Sequence, residues 1–274
     1  MSSPFADPLF ITAMAGALAL ACGAAPLGVL LIGRRMSLVG DSLSHATLPG
    51  AAVVYLLVGP DPWLLTLGAL IAGVIVAVSS ALLSRVGRMP EDAAFAVLYL
   101  TALAIGILIL GRTASAEVVH SLLFGDARAL DGPGLVLAIV AAMATIIALT
   151  FAGRRLESAA DDSAEAGDRW TGVAQALLMG LVAVNLVAGF RAFGALMTVG
   201  LMMVPAAAAR MWSLRFRGRM VAAVLISAAS SASGLVASEM LKVEPGPAMV
   251  LSAAALFVVS LIFGPTRRGL QTGP

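Results

Sequence analysis

Apolar residues run along this chain in blocks, many of about 18 residues or more, which is the length a helix needs to cross a bilayer. Short stretches rich in Gly, Pro and charge separate them, as turn chemistry expects. The pattern predicts helices over 9–32, 37–58, 63–84, 93–110, 132–152, 171–188, 192–209, 220–241 and 247–263. The breaks are GRR at 33–35, GPDP at 59–62, RVGRMPED at 85–92, a long segment from 111 to 131, RRLESAADDSAEAGDR at 154–169, GFRAFG at 189–194, RMWSLRFRGR at 210–219 and KVEPGP at 242–247. The expected fold is an all-α polytopic membrane protein of about nine transmembrane helices, eight to ten at the limits, forming one domain over 1–274. SAEVVHSLLFGD at 115–126 is too short to span and reads as a short amphipathic helix. Small-residue runs such as AAAA at 206–209 and SAASSASG at 227–234 suit close helix packing in lipid.

Composition agrees with the pattern: 60% of residues are hydrophobic and 12% charged, against about 25% charged in a soluble domain. The net charge of +2 therefore says nothing for nucleic acid and reflects loop arginines. Of the 17 basic residues, thirteen fall in alternate loops: Arg34, Arg35, Arg85, Arg88, Arg154, Arg155, Arg169, Arg210, Arg215, Arg217, Arg219, Arg267 and Arg268. Only Arg112, Arg128, Arg191 and Lys242 lie in the opposite set. The positive-inside rule makes the arginine-rich side cytoplasmic, which puts the C-terminus inside and the N-terminus outside. The single cysteine, Cys22, excludes an intramolecular disulfide and a CxxC metal site. LALAC before it resembles a lipoprotein cleavage site but lacks a basic leader, so it is read as part of the first helix.

The candidate chemistry sits in RRMSLVGDSLSHATLPG, residues 34–50. Asp41 and His45 fall roughly 10 and 16 Å along a helix that begins near Arg35, well inside the hydrocarbon. A spacing of four residues puts them on one face, with Ser44 nearby and Pro49 positioned to kink the helix beyond. An intramembrane charge costs about 2.5–3.5 kcal/mol on the milder scale, so two ionisable groups together point to a ligand. Carboxylate plus imidazole suits zinc or manganese. The same pair serves a proton relay, or a plain hydrogen-bonded link between helices. Secondary candidates are His120, either a solvated surface residue or part of a metal access route, and Glu239, either a cation-attracting acid in an outer vestibule or a snorkelling one. Met197, Met202 and Met203 are apolar filler or a soft-metal path, and Asn185 reads as helix–helix glue. PAAAARMWSLRFRGR reads as a helix that starts at Pro205. Its Arg210, Trp212, Arg215 and Arg217 are either ordinary positive-inside charge or a docking surface for a cytoplasmic partner. The chain has no GxxxxGK[ST] phosphate cradle and no HExxH. So thin a set of polar residues argues against an intramembrane enzyme.

RRMSLVGDSLSHATLPG resembles the RRMaflGDalSHavlPG element of the zinc/manganese/iron family of bacterial ABC-transporter permeases. FGALMTVGLMMVPAAAARM is similar to that family's vGvLLvvaLLviPAAtArl element. EDAAFAV, LLFGD and EPGPAMVLSAAALFVVSLIF follow in the family's order, so the resemblance covers nearly the whole chain. It implies a permease in the bacterial cytoplasmic membrane that dimerises with a second copy. It also implies a cytoplasmic ATP-binding subunit and an extracytoplasmic metal-binding protein as partners. Asp41 and His45 would take part in the passage of zinc, manganese or iron as cargo, with no permanently bound cofactor and no nucleic-acid partner. Metal must displace a proton from His45, so transport is expected to fall as pH drops toward about 5. A rate independent of pH would count against direct ligation. The alternative is a stand-alone proton-coupled carrier with Asp41 and His45 as the relay.

Overall fold

Three of the helices open on an aspartate followed closely by proline, and the chain uses each in the same way. Asp7 accepts from the Leu9 amide at 3.1 Å, Asp61 from Trp63 and Leu64 at 2.9 and 3.0 Å, and Asp131 from Gly134 at 2.8 Å. Each carboxylate satisfies amides that a first turn leaves open, and Pro8 and Pro62 supply a first residue that has no amide to satisfy. The computed structural model describes residues 7–34, 36, 39–87, 91–113, 130–159, 169–212 and 215–265. The helices are α1 (Pro8–Gly33), α2 (Val39–Ala46), α3 (Leu48–Val58), α4 (Pro62–Gly87), α5 (Glu91–Thr113), α6 (Gly132–Ala159), α7 (Arg169–Phe193), α8 (Ala195–Ala209), α9 (Phe216–Leu241) and α10 (Pro245–Phe263). No strand occurs among the described residues.

The direction of each helix follows from what its ends touch. Phe10, Met14, Leu130, Phe193, Met197, Leu235 and Met249 form one cluster. It joins the start of α1, the approach to α6, the end of α7 and the start of α8 to the later part of α9 and the start of α10. At the other end Ile32 and Val29 of α1 meet Ala209 of α8 and Phe216 and Met220 of α9. The α2–α3 pair follows one path interrupted at Thr47. Seven helices are long and apolar enough to cross a membrane alone. Only α8 and the α2–α3 pair are not. At 15 residues, α8 covers about 22 Å of a hydrocarbon layer near 30 Å.

α1 and α7 form the centre. Their apolar spans are 72% and 67% buried, whereas the other five are 17–33% buried and turn most of their surface outward. Lipid is as apolar as a leucine side chain, so this centre is held by close contact and interhelical hydrogen bonds. Asn185 of α7 is fully buried. Its amide donates to Thr145 Oγ1 of α6 at 2.7 Å and to the Leu181 carbonyl at 2.9 Å, while Thr145 donates to Ala141 at 3.1 Å. The predicted glue role is therefore met, between α6 and α7.

Four sequence expectations change. The helix expected over 37–58 is two helices, interrupted at Thr47, because Pro49 has no amide hydrogen for the carbonyl four residues back. The helix expected to end at 152 continues to Ala159. Its extra turns contain Arg, Leu, Glu and Ala, all good helix formers, and Leu156 is buried. Arg191 does not lie in a turn: α7 runs through Gly189 and stops only at Gly194, whose φ of 82° a side chain would resist. Pro205 does not begin a helix but lies buried within α8.

Pro205 leaves the Leu201 carbonyl without its helical donor, and the structure supplies a substitute: the Ser227 hydroxyl of α9 donates to it at 3.2 Å. Ser227→Ala should strand that buried carbonyl and cost about 1–3 kcal/mol, read as a fall in the thermal unfolding midpoint in detergent. In a Pro205→Ala background, which restores the amide, the same change should cost little. Equal losses in both backgrounds would show that the hydroxyl does something else.

Candidate functional site

α2 is an eight-residue helix set among four others. Val39, Leu43 and Ala46 belong to the buried cluster that also holds Val76 and Ala77 of α4, Phe95 of α5, Met179 and Leu186 of α7 and Met202 of α8. Gly40 admits α8 closely: a Cβ there would stand 2.5 Å from Met202 Cε and 3.0 Å from Met203 Cε. At 100° per residue, positions 41 and 45 lie about 150° around the helix from the mid-line of Val39, Leu43 and Ala46. The residues that hold α2 in place and the residues with candidate chemistry therefore occupy opposite arcs. His45 is half-buried, so its imidazole is neither sealed in the core nor free in solvent. Asp41 occupies the same arc one turn earlier.

The remaining candidates separate. Glu239 lies near the end of α9 beyond Leu235, in the region whose apolar cluster contains no α2 residue. Its carboxylate faces Lys242 Nζ at 3.6 Å, the acid largely covered and the lysine exposed. That neighbour offsets part of the acid's attraction for a cation. His120 and the 115–126 segment lie outside the described residues, as does most of the 154–169 loop. The methionines divide: Met197 is at the far end with Phe193 and Met249, and only Met202 and Met203 reach α2. Among the described residues no three His, Cys, Asp or Glu side chains gather as a metal cage.

The arginine-rich end is a separate surface. Arg210, Trp212, Arg215 and Arg217 are exposed there, beside the end of α1 that carries Arg34. Trp212 also has work inside the molecule: its indole donates to Ser260 Oγ of α10 at 2.9 Å, and Ser260 in turn donates to Leu256 at 2.7 Å. Pro205 presents no surface, and its part is to shape the helix that ends in Arg210 and Trp212.

The sequence profile described as the ABC 3 transport family matches residues 6–264, almost the whole chain. The chain belongs to that family. Among ABC 3 relatives, the manganese transport system membrane protein MntC of Bacillus subtilis is 30% identical over 94% of this chain, which spans 61% of that protein's length. MntC of Halalkalibacterium halodurans is 30% identical over 92% of this chain and 85% of its own. The zinc transport system membrane protein TroC of Treponema pallidum is 27% identical over 96% and 91%. A solved structure described as PsaBC from Streptococcus pneumoniae in complex with Fab superimposes with a TM-score of 0.81 at 25% identity, covering 97% of this chain and 95% of that one. The ABC 3 chain described here is thus a polytopic membrane permease, in agreement with the family resemblance read from its motifs.

Sequence reasoning anticipated a kink at Pro49, and the helix is interrupted beside it at Thr47. What it missed are the Gly40 contact with α8 and the Ser227 hydrogen bond to α8, which are contact features. The one available signal for the latter was that Pro205 stands four residues after Leu201.

Proposed function

We propose that this permease carries a divalent transition metal, zinc or manganese and by extension iron, into the cytoplasm as the membrane subunit of an ATP-driven importer. Two copies form the pathway. Each offers Asp41 and His45, so the pair of chains supplies two carboxylates and two imidazoles, whereas one chain has no cage of its own among the described residues. The observation that carries this reading is the arrangement of α2, with its buried arc packed into the core and the arc of Asp41 and half-buried His45 turned away from it. The relatives named for manganese and zinc transport, and one named for chelated iron, support the cargo.

The arginine-rich end is the cytoplasmic one, by the positive-inside rule, and its exposed Arg210, Trp212, Arg215 and Arg217 dock the ATP-binding subunit. An extracytoplasmic metal-binding protein delivers cargo at the opposite end. ATP-driven closure of the partner subunits tilts the helix ends, and the Asp41–His45 level opens alternately outward and inward. Few protein ligands per chain make a weak site, which suits release.

Radiometal uptake into vesicles holding the permease and its ATP-binding subunit tests the reading. Uptake should require ATP hydrolysis and survive collapse of the proton gradient. Uptake that ignores ATP and stops with the gradient would establish the proton-coupled carrier instead.

A further inference from the structure

The chain has two tyrosines, and both fall in apolar helices. Tyr55 lies one turn from the end of α3 at Val58, where an interfacial tyrosine is ordinary. Tyr99 is placed differently. It stands eight residues into α5, about 12 Å from the start of that helix. It is half-buried and packs on the cluster that holds Val39, Leu43 and Ala46 of α2.

α5 touches both α2 and α3, and two of its residues fix the register. Phe95 belongs to the cluster of Val39 and Leu43. Further along, a Cβ on Gly106 would stand 3.0 Å from the Pro49 nitrogen and 3.1 Å from Leu48 Cγ. The two paths therefore run parallel. Tyr99 precedes Gly106 by seven residues, and equal rise on both paths sets it opposite positions 41 and 42. At 100° per residue it lies about 20° around α5 from Gly106 and about 40° from Phe95, on the side turned to α2. Val97, Leu100, Thr101 and Ala104, on the other side, are exposed. At the level of His45 α5 presents Ala102, which is buried. A long helical side chain leans toward its own N-terminus, so the phenol keeps to the level of Asp41 and away from that of His45.

A phenol hydroxyl inside a membrane needs an acceptor. The cluster under Tyr99 is apolar, and at this level α2 has two polar positions, Asp41 and Ser42. The carboxylate is the better partner, since a hydrogen bond to an anion is roughly twice as strong as one between neutral groups. We propose that Tyr99 is a positioning residue for the metal pair, its hydroxyl donating to the Asp41 carboxylate across the α2–α5 seam. The proposal rests on the reading of Asp41 and His45 as the metal path. A carboxylate accepts at two oxygens, so the phenol holds one and leaves the other for the ion. Partners of this kind orient a ligand before the metal arrives.

The test uses the intact permease with its ATP-binding subunit in vesicles, with Mn²⁺ as the metal. Tyr99→Phe removes the hydroxyl and keeps the ring. It should lower radiometal uptake about tenfold, the low end of what losing such a partner costs, while the complex assembles as the wild type does. A hydroxyl that only braces α5 against α2 would instead lower the unfolding midpoint and leave uptake per assembled complex unchanged, which overturns the proposal. Infrared spectroscopy of the phenol C–O stretch reads the bond itself, and the difference between wild type and Tyr99→Phe isolates the band of this residue. The band should report a donating hydroxyl that changes in Asp41→Ala and holds in His45→Ala and Ser42→Ala. A band indifferent to Asp41→Ala overturns the proposal. Wild-type uptake in Tyr99→Phe beside an inactive Asp41→Ala also overturns it, and leaves the Asp41–His45 reading standing. Normal uptake in Asp41→Ala removes that reading and the proposal with it, whatever the band does.

Discussion

Alanine at His45 or at Asp41 should lower metal uptake at least about 100-fold, equivalent to roughly 2.8 kcal/mol at 1.4 kcal/mol per decade, while the permease still assembles. The two halves of that statement have separate physical grounds. Uptake falls because each substitution removes a donor that the rest of the described chain cannot replace. Assembly persists because position 45 lies on the arc of α2 away from the core and is only half-buried. Truncation there opens no cavity, and a change of this kind usually shifts stability by no more than about 1 kcal/mol. Leu43 is the control. It sits two residues away, is fully buried in the cluster that includes Phe95 and Met202, and its replacement by alanine should cost about 2–5 kcal/mol. Measured by radiometal uptake and by size-exclusion chromatography of the complex, His45→Ala should be assembled but inactive, and Leu43→Ala poorly assembled. Normal uptake in both Asp41→Ala and His45→Ala would make the pair a link between helices and remove it from the metal path.

Gly50→Ala should be the most damaging methyl group that can be added near the site. An added Cβ would stand 2.6 Å from the Ala72 Cβ and 2.6 Å from the carbonyl carbon of Gly68. The obstacle is largely backbone, which has no rotamer to change. The reverse position is equally closed, since a Cβ on Gly68 would stand 2.6 Å from the Gly50 carbonyl oxygen. α3 and α4 thus meet main chain to main chain, one residue beyond Pro49. Overpacking typically costs about 1–3 kcal/mol, and this pair has little room to relax, so loss of the folded permease in mild detergent is expected. Gly180 of α7 provides the comparison: nothing lies within 4 Å of its Cβ position. Alanine there should be neutral or stabilise by up to about 1 kcal/mol, because glycine is a poor helix former. If thermal unfolding places both variants at the wild-type midpoint, the α3–α4 contact is looser than these distances describe.

The number and order of passes were legible in the chain because hydropathy reports a property that extends over a whole helix. Every apolar block became helix among the described residues, and seven of the helices are long and apolar enough to cross a membrane. The events at single hydrogen bonds were harder to see. Pro205 read as a helix start, since proline favours first turns, and nothing in a linear sequence shows that Ser227, 22 residues later, will stand in for the missing amide. GFRAFG read as a turn because it contains two glycines and an arginine. Gly189 instead stays within α7 and packs against Thr198, while only Gly194 takes the turn conformation. The shared face of Asp41 and His45 followed from their spacing of four. That the opposite arc is the buried one required the neighbours of Val39, Leu43 and Ala46.

The hydrogen bond between Trp212 and Ser260 spans 48 residues of sequence and ties the turn after α8 to the last turn of α10. Met211 lies against Gly264 beside it, where a Cβ would be 2.6 Å from Met211 Cβ, so the join is a packed corner and not a single contact. A load placed on the exposed arginines at 210 and 215 therefore divides between two levers. One is α8, whose inner side reaches Gly40 of α2 through Met202 and Met203. The other is α10, most of whose surface faces outward. Stiffening of this kind converts a local push into the tilt of a plate, and it lets a short, proline-notched helix such as α8 carry force without bending at its weak point.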